Sequence, residues 1–156
     1  MTKTIRAALA LTVTAIVATA CGEAPEQTEA AAPEAPEGIA VTNARLMLPA
    51  VSGNPGAVYF DVANSGDGNR MIRAVNVQGA GSAMMHVTDE EGMRETLQIM
   101  VEPGQTVKFE PGGTHVMAMD LADTVVAGGQ AEVTLTFVGG DKVSFPADVR
   151  AAGDDR

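Results

Sequence analysis

From Gly38 onward apolar and polar residues alternate with period two in short runs, each closed by a cluster of Gly, Pro, Asn or Asp. The clearest run is AEVTLTFV at 131–138, in which Val133, Leu135 and Phe137 share one face and Glu132, Thr134 and Thr136 the other. TVKFE at 106–110 repeats the pattern with Val107 and Phe109 inward and Lys108 outward. Turn signals at GNPG, NSGDGN, QGAGS, DEEG, EPGQ, EPGG, AGGQ and GGD divide the segment into about nine strands. No window beyond residue 21 keeps a 3.6-residue apolar stripe, and no internal repeat is visible. The pattern predicts an all-β domain, an antiparallel Greek-key β-sandwich over residues 38–150, with a disordered tail at 151–156.

The chain before Gly38 follows other rules. Lys3 and Arg6 precede an apolar stretch from Ala7 to Ala18, and Ala18-Thr19-Ala20 gives the small residues of a cleavage site, so residues 1–20 read as an export signal. Cys21 follows at once, in the position of the lipidated cysteine of a bacterial lipoprotein lipobox, which it resembles. The alternative is an ordinary signal peptide and a soluble exported protein. Residues 22–37, GEAPEQTEAAAPEAPE, lack the aromatic and β-branched apolar residues needed to offset chain entropy, and with Cys21 they read as a lipidated, disordered tether (21–37). The expected location is the periplasmic space, anchored to a membrane by lipid alone, with the outer membrane preferred over the inner. Loss of residues 1–20 removes Lys3 and Arg6 and no acid, moving the formal charge from −10 to about −12. Such a chain makes no nucleic-acid partner expected.

Composition then narrows the chemistry. Cys21 is the only cysteine, so the domain has neither a disulfide nor a thiolate for a blue-copper centre. No nucleophile, base and acid are brought together by any motif, and no enzymatic role is expected. The nine methionines and two histidines, in a chain with one Tyr and no Trp, stand out. His115 and Met117 are i and i+2 on one predicted strand, hence on one face about 6.5 Å apart. His86 and Met93 flank the DEEG turn, and the hairpin predicts that they face each other at about 5 Å. Two imidazoles and two thioethers form a soft, neutral donor set that favours Cu(I) over Zn²⁺, Cu(II) or Ca²⁺. Met84 lies on the same strand face as His86 and is the substitute for Met93. Met47, Met71 and Met100 are read as packing residues, and Met119 as packing beneath or beside the site.

The run EPGGTHVMAMDL is closely similar to the PGG-x-H-x-M-x-M-x-L signature of the periplasmic copper chaperones called PCuAC, whose metal motif is H-x10-M-x21-H-x-M. Met93 to His115 keeps the twenty-one-residue spacing, and the similarity extends over most of 40–149, including GAVYFDVANSGD. His86 to Met93 departs from it, with six intervening residues in place of ten. The resemblance implies a cupredoxin-like fold, one Cu(I) per domain held by His86, Met93, His115 and Met117, and delivery to the copper-site subunit of a respiratory haem-copper oxidase. A thioredoxin-fold copper chaperone is an implied second partner. A copper-buffering or resistance lipoprotein without a client, and a metal-free adhesion or assembly module, are the competing readings.

Overall fold

The computed structural model describes residues 35–154; the expected signal segment, Cys21 and nearly all of the tether lie outside the described residues, as do Asp155 and Arg156. Ten strands follow one another: β1 (Ile39–Met47), β2 (Gly56–Asn64), β3 (Arg70–Val77), β4 (Ser82–Asp89), β5 (Gly92–Thr96), β6 (Ile99–Val101), β7 (Thr106–Phe109), β8 (His115–Met119), β9 (Gln130–Phe137) and β10 (Lys142–Arg150). They hydrogen-bond in the order β5-β4-β8-β2-β1-β10-β9-β3-β6, with β7 also on β2. No helix occurs among the described residues.

The alternation read in the sequence is the burial pattern. Val58, Phe60 and Val62 of β2 and Val133, Leu135 and Phe137 of β9 are buried in one core with Leu46, Ile72 and Phe109. Phe60 anchors it, its ring 4.2 Å from Phe109 and 5.2 Å from Phe145 between centroids. Asn64 is the exception at the end of β2, a buried amide that donates to the carbonyls of Gly68 and Val101 at 2.8 and 2.9 Å and accepts from Gly66 N–H at 3.0 Å. With both ends of the amide satisfied, the β2–β3 connection and β6 are tied to one side chain.

Two expectations are corrected. The sheet is mixed, because β1 runs parallel to β10, with Arg45, Leu46 and Met47 in register with Asp148, Val149 and Arg150. This pairing joins the first strand to the last, and no local turn encodes it. The tenth strand arises where β5 gives way to β6 at Leu97–Gln98, a step without Gly or Pro in which the Thr96 hydroxyl donates to the Gln98 carbonyl at 3.0 Å. At the ends of the described residues, Pro36 is buried and its carbonyl accepts Ile39 N–H at 3.0 Å. Ala151 to Asp154 closes a turn through a 3.1 Å hydrogen bond.

One feature of β2 creates the site. Its free edge is shared: Gly56–Val58 pair with Ala118–Val116 of β8, and Phe60–Ala63 pair with Phe109–Thr106 of β7. The chain leaves β7 and re-enters as β8 through the turn at 110–114, closed by Glu110 N–H to the Thr114 carbonyl at 2.7 Å and Gly113 N–H to the Glu110 carbonyl at 3.1 Å. Gly112 has φ +76°, a left-handed conformation that a β-carbon would strain. The EPGGT stretch is therefore a hinge between two strands on one edge, and His115 is the first residue after it.

Candidate metal centre

β4 and β8 pair antiparallel with Met84 opposite Met117 and His86 opposite His115. Met85, Val116 and Ala118, of the other parity, are buried in the core, so Met84, His86, His115, Met117 and Met119 lie on the outer face of these strands, all half-buried. Directly paired residues on one sheet face have Cα atoms about 4.5–5.5 Å apart, and i, i+2 neighbours about 6.8 Å. The Cα atoms of two histidines and two methionines thus mark the corners of one small rectangle. The histidine rings lie 5.7 Å apart between centroids with planes 20° from parallel. Metal–imidazole bonds of about 2 Å can bridge that gap with a bent nitrogen–metal–nitrogen angle.

The ring nitrogens are in unlike surroundings. His115 Nδ1–H donates to the Gly113 carbonyl at 2.9 Å. The same carbonyl accepts Thr88 N–H at 3.3 Å, which fastens the EPGGT turn to β4. His86 Nδ1 is buried and has no hydrogen-bond partner. A buried polar atom without a partner is rare in a folded protein, and a metal ion is one of the groups that can satisfy it. Among the described residues no three His, Cys, Asp or Glu side chains converge on one point. The donors that the register places side by side on this face are the neutral ones.

Met93 falls elsewhere. The hairpin turn holds two residues, Glu90 and Glu91, so Asp89 pairs with Gly92, Thr88 with Met93 and His86 with Glu95. The expected facing of His86 and Met93 is corrected by this register. Met93 keeps the parity of His86 but is displaced by two residues along β5, at the diagonal separation of about 7–8 Å, and is 55% exposed. At the tip, Asp89 accepts from the Arg94 guanidinium and from Glu91 N–H at 3.0 Å. The Arg94 hydrogen bond, then that of Glu91, holds the Asp89 carboxyl below the usual carboxylate range.

Other methionines divide. Met47 is buried on the outer face, opposite Ala57, which is itself opposite Met117. Met119 is i+2 from Met117 and opposite Ser82. Met71 and Met100 are directly paired on β3 and β6, but Met100 is 42% exposed, so this pair is not core packing. Sequence reasoning did not anticipate that Glu95 opposes His86, that Gly113 engages the His115 ring or that Met84 opposes Met117; counting register outward from a two-residue DEEG turn reveals the first.

The fold and this outer face define a class: a cupredoxin-like β-sandwich. The chain belongs to the family described as "Putative lipoprotein LpqE-like", whose profile matches residues 39–149. It is 30% identical over 145 residues to the "Putative lipoprotein Lxx21020" of Leifsonia xyli subsp. xyli, covering 90% of this chain and 87% of that one. Among solved structures it is similar to the copper-bound PCuAC domain from PmoF2, with TM-score 0.65 and 26% identity over 76% of this chain and 97% of that chain. The apo PCuAC domain from PmoF1 matches with TM-score 0.64 and 27% identity, over 73% and 94%. The solution structure of CuI-DR1885 from Deinococcus radiodurans shares the fold with TM-score 0.62 at 23% identity, over 79% and 85%.

Proposed function

We propose that this protein is an extracytoplasmic copper carrier that binds one Cu(I) between β4 and β8 and releases it to a partner. The observation that carries the reading is the register that opposes His86 to His115 and Met84 to Met117 on one half-buried face. The PCuAC domains it resembles, one of them copper-bound, support it. Neutral thioethers and imidazoles suit a monovalent soft ion, which they hold without a compensating negative charge. The lone cysteine at position 21 lies outside the domain, so no thiolate traps the ion, and the partial exposure of the Met84, His86, His115 and Met117 residues leaves the face open to a partner's stronger ligands.

His115 and Met117 come from the strand that follows the EPGGT turn; His86 and Met84 supply the opposing pair. Met93 is within diagonal reach of His86 but outside the rectangle, and in this reading it is not a resident ligand. The client is the copper-site subunit of a haem-copper oxidase, with a thioredoxin-fold copper chaperone as a second partner, and Cys21 carries the lipid that keeps the carrier at the membrane. Cu(I) transfer from the loaded protein to the purified copper-site subunit of such an oxidase tests the client. Transfer faster than from a Cu(I) chelator of equal affinity is expected, and equal rates would make the protein a buffer without a dedicated client.

A further inference from the structure

The two histidines differ in what their ring atoms have left to offer. The Gly113 carbonyl can only accept, so the 2.9 Å contact places a proton on His115 Nδ1 and leaves the lone pair of the neutral ring on Nε2. That carbonyl also accepts Thr88 N–H, so it is fixed by the turn and by β4 together, and His115 cannot exchange its nitrogens without breaking the contact. His86 is the opposite case. Its Nδ1 is the buried side-chain atom without a hydrogen-bond partner, so nothing in the fold competes for its lone pair.

We infer that the two imidazoles hold the ion through different nitrogens, His115 through Nε2 and His86 through Nδ1. The inference rests on the reading above and adds the atoms. Nδ1 is one bond from Cγ and Nε2 lies at the far side of the ring, so the two arms are unequal in length. His86 and His115 are directly opposed, and unequal arms therefore set the ion closer to β4 than to β8. Met84 is on β4, two residues from His86, and the displacement brings the ion toward it. His86 is left with its proton on Nε2, and Glu95, paired with it from β5, supplies a carboxylate one strand away. Metal-bound histidines are commonly oriented by a carboxylate on the non-ligating nitrogen.

The test uses Ag(I), which has the charge and softness of Cu(I) without its redox chemistry, bound to the 15N-labelled full chain. Long-range 1H–15N spectra identify the protonated nitrogen of each ring, and the shift change and 109Ag–15N coupling identify the bound one. The expected result is His115 protonated on Nδ1 before and after loading, with Ag(I) shifting its Nε2, and His86 shifted at Nδ1 with its proton on Nε2. Loading that shifts Nε2 of both rings, or Nδ1 of both, would overturn the assignment and leave the carrier reading standing. Ag(I) that shifts no histidine nitrogen would overturn both.

Discussion

At the residue scale the site turns on a single sulfur. Met84 is opposite Met117 and belongs to the rectangle, whereas Met93 is opposite Thr88 and largely exposed. Met84→Leu keeps the volume and removes the donor. It is predicted to weaken Cu(I) by more than about tenfold, or 1.4 kcal/mol, and Met93→Leu by less than about threefold. Competition against a Cu(I) chelator under reducing conditions measures both, and the reverse order would return Met93 to the site. The hairpin tip gives a pH prediction. The carboxyl of Asp89 is held below its ordinary value of 3.8, chiefly by Arg94. A depressed carboxylate stabilises the fold above its unfolded pKa and loses that contribution as pH falls through the folded one. The Asp89 carboxyl carbon shift should therefore titrate below 3.8 and move upward in Arg94→Ala. His115 and Met117 were legible as a same-face pair because strand parity is local. His86 and Met84 were also named from the sequence, but their direct opposition to His115 and Met117 was not legible because β4 and β8 are distant in the chain, and the place of Met93 was not because it depends on how many residues the DEEG turn consumes.

At the scale of elements, the alternation of β2, β7 and β9 was readable because the hydrophobic pattern of a half-buried strand follows its pleat. The parallel pairing of β1 with β10 and the sharing of β2's edge between β7 and β8 were not. Both depend on contacts between distant segments, and the sequence near each strand carries no mark of them. Asn64 is the element-level test of the frame. Asn64→Ala would leave the carbonyls of Gly68 and Val101 and the N–H of Gly66 without the partner they have now. Buried groups stripped of a hydrogen bond cost about 1–3 kcal/mol each where water cannot replace it. A loss of about 3 kcal/mol in urea unfolding is predicted, with Cu(I) affinity of the folded fraction unchanged, since Asn64 ends β2 away from the residues that pair with β8. A neutral substitution would mean that the amide does not tie β6 to the β2–β3 connection.

For the whole molecule, the domain brings two short strands into register on an outer face, and the proposed lipid on Cys21 would keep it at the membrane. Cys21→Ser is predicted to move the protein from the membrane to the soluble fraction with its copper affinity intact, as fractionation and titration of the released protein would show. The central claim is that β4 and β8 together make one soft-ion site. The most direct measurement is a Cu(I) competition titration comparing the unaltered protein with His115→Ala and Met117→Leu. The unaltered protein is expected to take one equivalent of Cu(I), with affinity reduced more than about tenfold, or 1.4 kcal/mol, in each variant. Affinity unchanged in both variants would contradict the claim.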